Sequence, residues 1–227
     1  KAEVENRIAG RASQELDVAV NARMQKAKAD LQTKLLAPLQ NLDLDPTAVD
    51  METTSDRLIA RYRLAGHEQL AASTPRPQAP VDSLLSVQVH QSALNNVLQH
   101  LKLDGQTVEL RKLYTELAET FLRKKMPVPE DIPGNVQVTF AEHDAVRIDC
   151  EKGKVRLTIR LQELSHNGNK SWKNFAVRAY YVPDAEQLNA NLVRDGVIEL
   201  MGKNLRLGDQ VALRGIFSKV LSKNRTV

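Results

Sequence analysis

Residues 154–164 read KVRLTIRLQEL, in which Val155, Leu157, Ile159 and Leu161 alternate with Arg156, Thr158, Arg160 and Gln162. A period of two predicts a strand with one buried and one wet face, and both arginines stand on the wet one. The alternation recurs in Val49, Met51 and Thr53, and in Leu58, Ala60, Tyr62 and Leu64 against Arg57, Arg61 and Arg63. Thr54, Ser55 and Asp56 between these two runs supply turn chemistry, so 49–65 predicts a hairpin. Further strands are predicted at 136–140, 145–150 and 175–182, with a short one through Leu85, Val87 and Val89. Lys152-Gly153 and HNGNK at 166–170 are predicted hairpin turns. Asp195-Gly196 predicts another turn, with a strand through Leu192 and Val193 before it and one through Ile198 and Leu200 after it.

Helical spacing governs the remainder. Val4, Ile8, Ala12, Leu16, Val20, Met24, Ala27, Leu31, Leu35 and Leu39 lie among strong helix formers and predict one long amphipathic helix, ended by Pro38, which disfavours helix at Ala37. The apolar positions recur every 3.9 residues or so, about 0.3 more than a helical turn, so their stripe winds around the axis and suits a partner that wraps it, such as a curved sheet. On this reading Leu16, Val20, Leu31 and Leu35 are core residues. SALNNVLQHL, at 92–101, predicts a helix with Leu94, Val97, Leu98 and Leu101 on its apolar side and Ser92 as its cap. Another helix carries Leu110, Leu113, Leu117 and Phe121, with Thr107 to cap it. A last one starts at Asp209 and carries Leu213, Ile216, Phe217, Val220 and Leu221, weakened by Gly215. Prolines at 75, 77 and 80 make 73–80 an extended connector. Hairpins with segregated helices predict a single α+β domain over 1–227, and MPVPEDIPG at 126–134 is the one place where a sub-boundary would fall.

Composition narrows the function classes. Hydrophobic content of 42% is enough for a real core, and a net charge of +4 is mild for a dedicated nucleic-acid binder, which concentrates its excess in blocks. The longest basic cluster is Arg123, Lys124 and Lys125, at the end of a predicted helix where cations suit the dipole. With Cys150 as the only cysteine there is neither an intramolecular disulfide nor a cysteine-based zinc site. No apolar run reaches membrane-spanning length. The chain opens at Lys1 directly in helical pattern, which leads us to expect a mature or excised piece of a longer protein.

The chemistry-bearing residues form no diagnostic set. His67, His90, His100, His143 and His166 lack the spacing of a metal motif, and His143 with Cys150 across a hairpin would supply only two ligands. His90 and Ser92, with Asp82 or Asp104, hold the atoms of a triad without a nucleophile elbow, and Ser92 serves equally well as a helix cap. The glycines are isolated, so no phosphate loop is present. Asn169-Lys170-Ser171 and Asn224-Arg225-Thr226 match the glycosylation pattern, which recurs by chance. Arg57, Arg61, Arg63, Arg147, Arg156, Arg160, Arg178 and Arg194 fall in or beside predicted strands. They make either an anion-binding surface or a solvated face cross-paired with Asp149, Glu151, Glu163 and Glu199. Aromatics, which a nucleic-acid platform needs for stacking, are only 4%, and Trp172, Phe175, Tyr180 and Tyr181 gather on one hairpin. The balance falls to the solvated face, with no nucleic-acid partner.

The long helix from Val4 to Leu39, the alternating hairpin strands Leu58 to Leu64, Val155 to Leu161 and Phe175 to Tyr181, and the strand-to-helix step SALNNVL resemble the tubular lipid-binding (BPI-like) fold. The resemblance implies a curved antiparallel sheet wrapped on a long helix, an apolar groove and no catalytic residues to carry over; the residues themselves call for no cofactor. Two function classes therefore stand. The first is a non-catalytic periplasmic, envelope or secreted module that binds an apolar or amphipathic ligand, lipid-like in character, or a protein partner. The second is a hydrolase using the His90 and Ser92 neighbourhood.

Overall fold

The computed structural model describes residues 2–33, 37–40, 44, 46–72, 74, 77–82, 86, 88–122, 125, 127–184, 191–221 and 224–226. They form an α+β fold of helices and antiparallel sheets with a long N-terminal helix. That helix, α1 (Ala2–Leu31), stops short of the predicted end. Leu39 lies in a turn of helix described as α2 (Ala37–Gln40), which holds Pro38; residues 34–36 between the two lie outside the described residues. Leu16 and Val20, expected in a core, are 65% and 45% exposed. The stripe has the right residues, but over this stretch the described side chains face solvent. The side chain of Leu31 and all of Leu35 lie outside the described residues.

The hairpin predicted at 49–65 is β1 (Thr47–Thr53) and β2 (Leu58–Arg63), a two-stranded sheet of its own with a bulge between Ala48 and Asp50. Next in the chain order comes α3 (Gln91–His100); the connector expected at 73–80 falls partly outside the described residues. The expected strand through Leu85, Val87 and Val89 falls partly outside the described residues, and its described positions, from Gln88 to His90, are not strand. Thr107 does not cap a helix. It opens β3 (Thr107–Glu109), where its hydroxyl meets that of Thr139 at 2.9 Å, and α4 (Leu110–Leu122) follows directly.

Next come β4 (Val136–Phe140), β5 (Val146–Glu151), β6 (Lys154–His166), β7 (Lys170–Asp184), β8 (Asn191–Met201), α5 (Leu207–Val220) and β9 (Asn224–Thr226). The main sheet runs β3-β4-β6-β7-β8-β9, and β5 joins the same edge of β6 as β4, further along. In effect β4 and β5 are one long strand interrupted by the loop 141–145. Arg160 of β6 closes the gap: its carbonyl accepts from Ala141 N–H, its N–H donates to Ala145 O, and its Nη1 donates to Asp144 O at 2.6 Å.

Both predicted hairpin turns form, with φ of 51° and 73° at Lys152 and Gly153 and of 54° and 68° at Asn167 and Gly168. Asp195-Gly196 is not a turn. Here β8 continues through a bulge: Asp195 pairs Tyr180 and Glu199 pairs Arg178, so residues 196–198 face Ala179 alone, and Gly196 takes a φ of 76°. Both flanking runs pair with the same strand, which a hairpin turn would forbid.

The core lies on one face of the main sheet. Val136, Val138, Phe140, Leu161, Leu164, Trp172, Phe175, Val177, Ala179, Tyr181 and Ile198 are buried with Leu110 of α4 and Leu213, Ile216 and Phe217 of α5. Trp172 Nε1 donates to Asp209 Oδ1 at 2.9 Å and fixes the start of α5. A second, small cluster joins Leu39, Leu44 and Leu64 to Val97 and Leu101 of α3.

Candidate functional site

Helix α3 is the joint of the molecule, and its sequence explains how. Asn is a mediocre helix former whose amide competes for backbone groups, so two in the middle of a helix call for partners. Asn95 finds them on β5: its Nδ2 donates to Ile148 O and its Oδ1 accepts from Ile148 N–H, both at 2.8 Å. One turn earlier Gln91 Oε1 accepts from Cys150 N–H at 2.9 Å. The side-chain amides thus stand in for a neighbouring strand along the outer edge of β5, which would otherwise invite pairing with another chain. Asn96, on another side of the helix, is 6% exposed and donates to Leu64 O and Leu70 O. Gln69 adds bonds to Asn96 O and Gln99 Oε1 and, through its own Oε1, to Gly66 N–H. The helical spacing of 92–101 was legible, but these amide roles were not. The signal available was a pair of asparagines inside an otherwise apolar helical run.

A cleft of about 250 Å³ opens beside this joint, lined among others by His90, Ser92, Gln99, Asp104, Asp144 and Arg147. The cap of α3 is His90 and not Ser92. His90 Nδ1 accepts from Ser92 N–H at 3.1 Å and lies 2.9 Å from Ser92 Oγ. Because a backbone N–H only donates, the neutral imidazole carries its proton on Nε2. Asp104 spends Oδ1 on Ala145 N–H, and Asp82 is exposed in a turn. Neither is bonded to His90, so the structure brings together two members of the supposed triad and not the third.

Arg147, Arg156, Arg160, Arg178 and Arg194 lie on the main sheet and Arg57, Arg61 and Arg63 on or beside the hairpin β1–β2, mostly with partners within the chain. Asp149 joins Arg147 at 3.2 Å and Arg156 at 3.1 Å, Arg178 pairs with Glu199 at 3.5 Å, and Arg194 donates to Leu221 O. Arg57 donates to Pro80 O and Val81 O, and Arg61 pairs with Asp50 at 2.8 Å. Burial alone would raise the carboxyl of Asp149, but the hydrogen bonds from Arg156 and Arg147 outweigh it and hold it below the ordinary carboxylate value. Beside it, burial and then the Asp149 charge push the Cys150 thiol up. Trp172, Phe175 and Tyr181 point into the core, 4–7% exposed, so the aromatic hairpin offers Tyr180 alone to the arginine face. His143 lies in the loop before β5 and Cys150 near the far end of that strand, about 13 Å or more apart at the rise of a strand. Among the described residues no group of three or more His, Cys, Asp or Glu is placed to hold a metal. Nor, among them, is any helix long and apolar enough to cross a membrane.

Hairpin β1–β2 is the unusual surface. Its register puts Met51, Leu58, Ala60 and Tyr62 on one face and Asp50, Glu52, Ile59 and Arg61 on the other. The charged face closes on itself through Arg61, while Met51, Leu58 and Tyr62 remain 61%, 69% and 58% exposed, with Val49 at the bulge 62% exposed. A two-stranded sheet is marginal in water without something on its apolar face. No protein-family model, no curated protein and no solved structure matches the chain, so the likeness to the tubular lipid-binding fold rests on the pattern of elements alone.

Proposed function

We propose that the chain is a non-catalytic binding module that holds an apolar or amphipathic, lipid-like ligand on the hairpin β1–β2, in an envelope or secreted setting. The observation that carries this is the inverted hairpin: four large apolar side chains face solvent while the ionic side is satisfied within the strands. An exposed contiguous apolar patch is how binding surfaces differ from ordinary protein surface, on which apolar residues are scattered singly. The arginine face is proposed to be a solvated lattice, since its carboxylates already occupy the guanidinium groups that phosphates would need.

Native mass spectrometry of the purified protein, with a fluorescent fatty-acyl probe titrated in parallel, tests the reading. Retained lipid or saturable probe binding that is lost in Met51→Glu/Leu58→Glu supports it, and no binding to the wild type overturns it. The hydrolase alternative draws on the His90 to Ser92 contact. Fluorophosphonate labelling that disappears in Ser92→Ala would favour it, although the same Nδ1 is engaged in capping α3.

A further inference from the structure

Every described side chain of α1 from Gln14 to Ala29 is exposed, and Leu16 and Val20, one turn apart on the same side, are 65% and 45% open to solvent. A helical stretch whose described side chains all face solvent is marginal in water even with good formers, because helix stability comes from packing an apolar face. The charges along it are sorted. Glu15 and Asp17 precede Val20, while Arg23, Lys26 and Lys28 follow it. Over the whole helix the part up to Asp17 carries Glu3, Glu5, Arg7, Arg11, Glu15 and Asp17, a net of two negative charges. The part beyond carries Arg23, Lys26, Lys28 and Asp30, a net of two positive ones.

We propose that α1 pairs antiparallel with the α1 of a second copy of this chain, about a two-fold axis beside Val20. That arrangement covers Leu16 and Val20 in both copies and sets Asp17 of each opposite Arg23 of the other, and Glu15 beside Lys26. Parallel pairing covers the same residues but sets like charge on like charge, which is destabilising. The contact is isologous and therefore closes at two chains. It is independent of what the hairpin β1–β2 binds, and α1 is far enough from the main core in sequence to pair without disturbing it.

Disulfide trapping in a Cys150→Ser background tests both the contact and its direction, since Cys150 is the only native cysteine. Antiparallel pairing predicts that Val20→Cys forms a covalent dimer under mild oxidation. Leu16→Cys does not, because its two copies stand about 12 Å apart along the axis, beyond the reach of a disulfide. Light scattering after size exclusion gives a two-chain mass that is lost in Leu16→Asp/Val20→Asp, with circular dichroism confirming that the sheet is retained. A single-chain mass at all concentrations overturns the proposal, whether α1 is then free or folded onto its own hairpin. Equal trapping at Leu16→Cys and Val20→Cys, the mark of a parallel pair, overturns it as well.

Discussion

Replacing Asn95 by leucine removes an amide of nearly the same size and leaves both outward backbone groups of Ile148 without partners. In the native protein Asn95 holds that residue through two bonds of 2.8 Å. Each is worth about 1 kcal/mol net, and a partly buried donor or acceptor left unsatisfied adds about 1–3 kcal/mol, discounted here because the edge of β5 is only half-buried. A total loss of about 2–4 kcal/mol follows. In urea this shifts the unfolding midpoint by about 1 M or more with an unchanged slope. Hydrogen exchange localises the effect: the Ile148 amide, protected by Asn95 Oδ1, exchanges much faster in Asn95→Leu, while the Val177 amide, buried mid-sheet, falls only with global stability. Asn95→Asp separates the two bonds, since a carboxylate accepts from Ile148 N–H but repels Ile148 O, so it loses stability yet retains exchange protection at that amide. An unfolding free energy within about 0.5 kcal/mol of wild type, together with unchanged Ile148 exchange, would refute the view that α3 acts as the missing strand at this edge.

Leu213→Ala, at a fully buried site under the sheet, is expected to cost about 2–5 kcal/mol in a thermal or urea melt, whereas Ile59→Ala on the isolated hairpin costs far less. Asp149→Asn loses about 1–2 kcal/mol at pH 7. Since its folded carboxyl lies below the ordinary value, that contribution is present above about pH 4 and disappears as pH falls through the depressed folded value, so wild type and variant converge in acid. The same variant removes a charge that holds the Cys150 thiol up, so Ellman's reagent reacts faster with Asp149→Asn than with wild type at pH 8. Asp209, held low by the Trp172 indole and then by the Arg206 N–H, makes the fluorescence of Trp172, the only tryptophan, change at a pH below the ordinary carboxylate range. A transition at the ordinary value would deny that contact.

What the amino-acid sequence determined by itself is the local grammar. The period of two in Val155 to Leu161 and in Phe175 to Tyr181 yields strands because a pleat sends successive side chains to opposite faces, and the turns at 152–153 and 167–168 follow from Gly153, Asn167 and Gly168, which tolerate positive φ. The α+β class and the pairing of Asp149 with strand arginines were within reach for the same reason, since cross-strand neighbours are fixed by register. Tertiary structure decided what depends on contacts between residues far apart in sequence. Asp195-Gly196 carries turn chemistry, yet it became a bulge because strand β7 pairs with both of its flanks. Thr107 carries capping chemistry, yet it became a strand because β4 lies beside it. The asparagines of SALNNVL look like weak helix residues until β5 and the segment after the hairpin arrive to take their amides. Most telling is the stripe of α1, since periodicity states which face of a helix is apolar but not what covers it. Whether that face is buried, as Leu16 and Val20 were expected to be, or open, as they are, depends on which other surface the chain brings against it.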